Sequence, residues 1–433
     1  MSVSQASLAP EVVDQEAAPS LKYLRQRWWL LVLLFTAMLF GYAQRGALGV
    51  AAPFISRDLE LSKAQMGVLL STFFWLYAVM QLPAGWLVDR FGVKRAYSLG
   101  FVFWSLATSL IGLANGILSL GGLRLAVGAG QAIAFPATSR SVANWFQERE
   151  RGTVTGIYLT GVRYGTALIN VVGAFFLARY SWKLFFVLIG LIPLVWVLPW
   201  SLFLRKWETT DRSGADRPAA QGASFFRSLL LLKNRNVFGI FLGFFAYDYA
   251  WFVFLNWLPS YLLLERKFSV REMGFYSSVP FVAMSLVILV SGMMSDGLIR
   301  RGYQELKVRK LFIAVGLAVG CLIVPAGMVE DKLTAVWLLT ISLCGLGIAA
   351  PNTWTLTQAV CEKKIVGTVS GIQNFGGNVG GILAPSLTGI IAQATGSFAL
   401  AMGLTGIVLV VGILAYWLLV TDQVEMIDPT APA

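Results

Sequence analysis

From residue 28 onward, long apolar runs alternate with short polar segments, and almost no run shows the half-polar face of a soluble helix. A helix needs about 20 predominantly apolar residues to cross the roughly 30 Å of bilayer hydrocarbon. Runs of that size fall at 28–55, 64–88, 96–114, 117–141, 152–178, 183–204, 237–264, 273–299, 310–329, 334–360, 366–393 and 397–420. The pattern therefore predicts an all-α membrane protein of twelve transmembrane helices. Barrel strands would show as ten-residue segments of alternating polarity, and lipid offers bare backbone amides no partner, so a barrel does not fit.

Composition agrees: the 433 residues are 57% hydrophobic and 13% charged, where soluble domains carry about 25% charged residues. The formal net charge of +12 sits in the short segments between runs, which points to a lipid bilayer as the partner surface and away from nucleic acid. With the N-terminus inside, about two thirds of the Lys and Arg fall on cytoplasmic segments, so both termini are expected in the cytoplasm and the protein in the inner (cytoplasmic) membrane. Residues 1–27, with Glu11, Asp14 and Glu16 among Ser, Ala and Pro, read as a disordered cytoplasmic tail. Residues 205–236 carry Arg205, Lys206, Arg212, Arg217, Arg227, Lys233 and Arg235 and read as a cytoplasmic linker. It would join one six-helix bundle over 28–204 to a second over 237–420, with 421–433 as a C-terminal tail.

The two parts echo each other. Gly152-Thr153-Val154-Thr155-Gly156-Ile157 recurs as Gly367-Thr368-Val369-Ser370-Gly371-Ile372, the same offset carries Pro136 onto Pro351, and Asp89 has a counterpart in Asp296. Parallel repeats with a site between them near mid-membrane are an architecture suited to alternating access. Glycines crowd spans five (Gly152, Gly156, Gly161, Gly165) and eleven (Gly371, Gly376, Gly377, Gly380, Gly381). They mark either surfaces on which the halves slide or static close packing.

Histidine is absent and Cys321, Cys344 and Cys361 are scattered, so neither a disulfide framework nor a Cys/His metal site is expected, and no cofactor. Without a His, or any Ser/Lys or two-carboxylate constellation in the spans, an enzyme reading is disfavoured. The ionisable residues deep in spans are Arg45, Arg124, Arg163 and Asp248. Each such charge costs about 2.5–3.5 kcal/mol on insertion scales, so they are expected to face an enclosed cavity, with snorkelling as the alternative for Arg45 and Arg124. Arg163 and Asp248 lie at similar depth and are candidates for a mutual ion pair. Guanidiniums in excess of carboxylate favour an anion, which they can grip in bidentate fashion. Tyr42, Tyr77, Gln131, Asn374 and Asn378 are candidate polar contacts to it, with Tyr247, Trp251 and Asn256 as further stacking or hydrogen-bonding groups.

The loop after span two, Gly85-Trp86-Leu87-Val88-Asp89-Arg90-Phe91-Gly92-Val93-Lys94-Arg95, resembles the signature loop of the major facilitator superfamily. There Asp89 can meet a helix N-terminus or a cation on a neighbouring bundle, and Gly85, Arg90, Gly92 and Asp296 join it as candidate gating residues. More narrowly, Tyr42-Ala43-Gln44-Arg45, Gly122-Leu123-Arg124 through Gln131-Ala132 to Phe135-Pro136, Trp145-Phe146, Glu150-Arg151-Gly152 and Gly371 through Asn374-Phe375-Gly376-Gly377 resemble the anion:cation symporters. That family includes bacterial galactonate, glucarate and hexuronate carriers and animal sialic acid and vesicular glutamate carriers. The resemblance implies arginines at Arg45 and Arg124 that serve an acidic substrate and a gating network. It also implies acidic residues for proton coupling at two positions that here are Gln44 and Gln131, and an amide does not titrate. Asp248 is then the candidate substitute.

The expectation is a secondary or facilitative transporter, monomeric in build, of a small organic anion such as a sugar acid, with a proton as candidate co-substrate and rocker-switch alternating access. An exchanger of organophosphate or phosphate, or a transport-dead membrane sensor, are the rival readings.

Overall fold

A computed structural model of the chain describes residues 21–146, 148–204, 230–361 and 365–421. Most of the expected N-terminal tail (1–20), linker (205–229) and C-terminal tail (422–433) lies outside them.

The described chain is almost entirely helical: α1 Leu21–Asp58, α2 Lys63–Leu110, α3 Ile117–Gln131, α4 Ala134–Trp145, α5 Glu148–Leu177, α6 Trp182–Leu191, α7 Val197–Leu204, α8 Arg235–Ser260, α9 Val270–Arg300, α10 Glu305–Gly320, α11 Ile323–Met328, α12 Lys332–Val360, α13 Val366–Thr395 and α14 Ala399–Leu414. They supply twelve spans long and apolar enough to cross a membrane. Helix starts follow capping chemistry. Ser62 with Gln65 and Ser269 with Glu272 form reciprocal capping boxes, and Asp331 accepts from the Thr334 amide.

Interruptions follow glycine and proline. Gly92 breaks α2 with φ 78° and ψ 152°, a conformation that side-chain-bearing residues avoid. Gln44 bonds to Trp104 while Arg45 lies over Phe73, so residues 73 and 104 stand at one level and α2 doubles back at Gly92. The span expected as continuous over 117–141 is two helices, α3 and α4. Pro136 cannot donate to the Ala132 carbonyl, and the helix yields at Ala132 and Ile133. Pro193 likewise converts Ile192–Trp196 to a 3₁₀ turn, and Pro325 accompanies the break between α10 and α11.

Two six-helix bundles result, α1–α7 and α8–α14. Within the first, α5 packs on α1; within the second, α13 packs on α8. Cβ atoms added at Gly161 and Gly376 would stand 2.6 Å from the Phe35 and Phe241 carbonyls, and ones at Gly165 and Gly380 would crowd Leu39 and Tyr249. These four glycines therefore serve close packing inside each bundle, whereas Gly381 of the same stripe faces Phe74 of the other bundle, so the stripe serves both roles. The bundles meet through α1 on α8, α2 on α13 and α5 on α9.

Those junctions are tightest toward the end where α1 finishes at Asp58. A Cβ at Gly49 would sit 2.9 Å from the Leu255 carbonyl and one at Gly67 2.6 Å from that of Pro385; one at Gly274 would collide with Ala174. Asn170 donates to Ser277 O at 3.0 Å, and the Lys63 amide donates to Gln393 Oε1 at 3.1 Å. Toward the opposite end, where Asp89 lies, Asn374 Nδ2 donates to Gln81 Oε1 at 2.7 Å across the bundles.

Candidate functional site

The break behind Gln131 and the close fit of α3 on α2 set the site. A Cβ at Gly128 would collide with the Phe73 carbonyl, so α3 lies directly against α2 and brings Arg124 beside the Phe73 ring. Arg124 is 1% exposed, its guanidinium carbon stands 5.3 Å from the centre of that ring, and among the described residues no acceptor meets Nε, Nη1 or Nη2. Arg45, 4% exposed, reaches the same ring from α1 at 4.4 Å and is also faced by Tyr42 at 4.4 Å and Tyr77 at 4.8 Å. Its Nε donates to Gln131 Oε1 at 3.3 Å and its Nη1 to the Tyr42 hydroxyl at 3.2 Å. Neither arginine snorkels: both are buried among aromatic rings inside the first bundle.

Gln131 is fixed by a second bond, Nε2 to the Gly41 carbonyl at 3.0 Å. Gln44 points away from this cluster. Trp104 Nε1 donates to its Oε1 at 2.7 Å, and its Nε2 donates to Ser105 Oγ and to the Ile189 carbonyl at 3.2 and 2.9 Å. It is a packing amide joining α1, α2 and α6.

Across the interface, Arg163 and Asp248 do not form the ion pair that their matching depth allows. Arg163 is half-buried and lies over the indole of Trp251, its guanidinium carbon 3.6 Å from the ring centre, while Nη2 donates to the Tyr247 hydroxyl at 3.3 Å. A planar, weakly hydrated guanidinium stacks readily on an indole face, and this geometry takes the place of the pair. Asp248 is half-buried and has no hydrogen bond or ion pair within 4 Å among the described residues. It has space because α13 presents Gly377, where a Cβ would collide with Asp248 Oδ2. Tyr42 lies within electrostatic reach of Arg45, Tyr77, Arg163 and Asp248, which joins the two sides into one cluster.

The remaining candidates divide. Asn378 donates to the Asn374 carbonyl at 3.0 Å, Asn374 is engaged with Gln81, and Asn256 donates to the Phe252 carbonyl at 2.9 Å near the Asp58 end. In the signature loop, Asp89 meets a cation of its own bundle, Arg140, at 3.6 Å with both side chains half-exposed. Arg90 lies over the rings of Trp86 and Phe91 at 5.7 and 6.0 Å. The counterpart of Asp89, Asp296, is held at 2.7 Å by Arg309, which also donates to Ser295 Oγ and Asn352 Oδ1. Sequence reading missed Arg309, Gln81 and Phe73. Arg309 stands one residue before a predicted span and reads as an end charge, and one Phe among 29 carries no signal. An apolar groove of about 410 Å³ on α2 and α3, lined by Met80, Leu87, Leu99 and Phe103 among others, has no ionisable lining and suits lipid rather than an anion.

The described geometry thus sets the guanidiniums of Arg45 and Arg124 inside the first bundle, and that of Arg163 against the second bundle near Asp248. The Major Facilitator Superfamily model matches residues 34–385. A D-galactonate transporter of Escherichia coli is 33% identical over 416 residues, covering 92% of this chain and 96% of that protein. A hexuronate transporter of Bacillus subtilis is 32% identical, covering 87% and 90%, and a probable galactarate/D-glucarate transporter of Escherichia coli is 30% identical, covering 94% and 97%. Among solved structures, a bacterial homologue of the human lysosomal transporter Spinster, inward-facing and unoccupied, superposes with TM-score 0.74 at 19% identity over 93% of this chain and 98% of that one. A D-xylose–proton symporter does so with TM-score 0.72 at 14% identity, covering 92% and 98%. The chain belongs to the major facilitator superfamily, as a multi-pass membrane transporter.

Proposed function

We propose that the protein carries a small organic anion, a sugar acid, across the inner (cytoplasmic) membrane by rocker-switch alternating access between its two bundles. The observation that carries this reading is Arg124: a guanidinium 1% exposed, with all three nitrogens unmet, beside the second buried guanidinium of Arg45. A buried cation without a counter-charge is strongly disfavoured, and a carboxylate relieves both guanidiniums at once through charge-assisted hydrogen bonds. Relatives named for galactonate, hexuronate and galactarate/glucarate give the carboxylate its class. Tyr42 and Tyr77 add a hydroxyl and an apolar face suited to a sugar chain.

Alternating access is supported by the uneven seam, locked by backbone contacts near Asp58 and bridged by side chains such as Gln81 and Asn374 toward Asp89. The Lys and Arg distribution puts the Asp89 end and both termini in the cytoplasm, with 205–236 as the link between bundles 28–204 and 237–420. The protein would work as a monomer, since two bundles within one chain suffice for alternating access.

Counterflow in proteoliposomes tests the cargo. Vesicles preloaded with unlabelled D-galactonate, D-glucuronate or D-glucarate should take up the same labelled acid saturably, and the neutral parent sugars should not exchange. Exchange of a neutral or cationic compound with none of any carboxylate would overturn the reading.

A further inference from the structure

Asp248 is the one described acidic side chain deep within a span; the others stand at or near span ends or beside the Gly92 break. Its neighbours come from five elements. Tyr247 is on α8 itself; Arg163 comes from α5; Arg45 and Tyr42 come from α1; Tyr416 lies in the turn after α14; and α13 offers only the bare backbone of Gly377. None of them bonds to its carboxylate, and the nearest opposing cation, Arg163, is held on Trp251 instead. The two amides of the first bundle cannot take a proton and are each fixed by neighbouring groups.

We infer that Asp248 is the proton-binding group through which this transporter couples anion movement to a proton gradient, with Arg163 as its mobile counter-charge. The inference rests on the anion reading above. The linkage follows from charge. With Asp248 ionised, one of the three guanidiniums has a neighbouring counter-charge; with Asp248 protonated, none has, and an incoming carboxylate is held more strongly. By reciprocity, a bound anion holds the proton more strongly. In each cycle one proton from water on the loading side forms an O–H bond on Asp248. On the far side that bond breaks, the proton leaves to water, and the restored carboxylate draws Arg163 off the indole and away from the cargo. One proton and one anion cross together, and Gly377 keeps the space in which the carboxyl group changes state.

Proteoliposomes with labelled D-galactonate, D-glucuronate or D-glucarate and a lumenal pH dye test this. Wild-type protein should show counterflow, accumulate the acid when the lumen is alkaline, and acidify the lumen as it does so. In Asp248→Asn the ratio of pH-driven uptake to that variant's own counterflow should fall at least about fivefold, a typical size for coupling between two sites. Arg163→Gln should retain pH-driven uptake but move the pH midpoint of counterflow to more alkaline values, which a merely structural loss would not do. Counterflow by wild type without pH-driven uptake overturns this inference alone. So does an unchanged ratio in Asp248→Asn or, should that variant not fold, an unmoved midpoint in Arg163→Gln. Absence of counterflow for every sugar acid overturns the anion reading and this inference with it.

Discussion

Arg163 of the first bundle lies 3.6 Å over the ring centre of Trp251 in the second, and this stack, rather than a bond to Asp248, holds the guanidinium. A desolvated cation–π contact contributes about 2 kcal/mol. Removing the indole should release Arg163 toward Asp248, whose charge would then be offset internally. Trp251→Leu is therefore expected to weaken sugar-acid binding by about tenfold or more. Calorimetric titration of the purified variant checks this, and unchanged affinity would separate the stack from binding.

Arg124 yields a prediction of opposite sign for stability and function. Its guanidinium has no acceptor, so an apolar side chain of similar length removes a desolvated charge without orphaning a partner. Arg124→Met should leave the apparent melting temperature of the ligand-free protein unchanged or raised, and should abolish the rise produced by a sugar acid. A fall in the ligand-free value would mean that Arg124 has a structural partner.

At the seam near Asp58, a Cβ on Gly67 would press on the Pro385 carbonyl at 2.6 Å. Gly67→Leu should hold that end apart and favour the alternative conformation, since a packed contact of this kind rearranges rather than compresses. Labelling of a cysteine introduced at Ser386, beside this contact, should speed up in the variant. Equal labelling rates would show that the seam is not a gate.

The two aspartates that echo each other in sequence should differ in weight. Arg309 is buried and joins Asp296, Ser295 and Asn352, so Arg309→Met should cost about 1.5–3 kcal/mol per lost charged hydrogen bond. The Asp89 to Arg140 pair is long and half-exposed, and Asp89→Asn should cost under about 1 kcal/mol. Thermal melts of both variants in detergent check the ranking, with a larger loss for Asp89→Asn as the contradicting result.

Twelve spans and two bundles were legible because lipid demands apolar runs of fixed length and punishes stray charge, so the runs and the three arginines deep within them, Arg45, Arg124 and Arg163, stand out in the residues themselves. Spacing alone does not decide contests between partners. Whether Arg163 meets Asp248 or Trp251 depends on which group the opposite bundle presents at that depth, and Asp89 finds Arg140 only once α4 folds back toward the loop. The glycine stripe looked alike for sliding and for static packing; the backbone approach of Leu39 to Gly165 and of Phe241 to Gly376 marks those glycines as packing, while Gly381 against Phe74 lies on the seam between the bundles. The breaks at Ala132 and Ile192 were present in the sequence as Pro136 and Pro193, but hydropathy is blind to a missing amide hydrogen.

The central claim is that the paired guanidiniums of Arg45 and Arg124 receive a carboxylate. Calorimetric titration of purified wild-type, Arg45→Ala and Arg124→Met protein with D-galactonate, D-glucuronate and D-glucarate tests it most directly. At least one acid should bind the wild type saturably, and each variant should bind that acid at least about tenfold more weakly. Affinity equal to wild type in both variants would contradict the account.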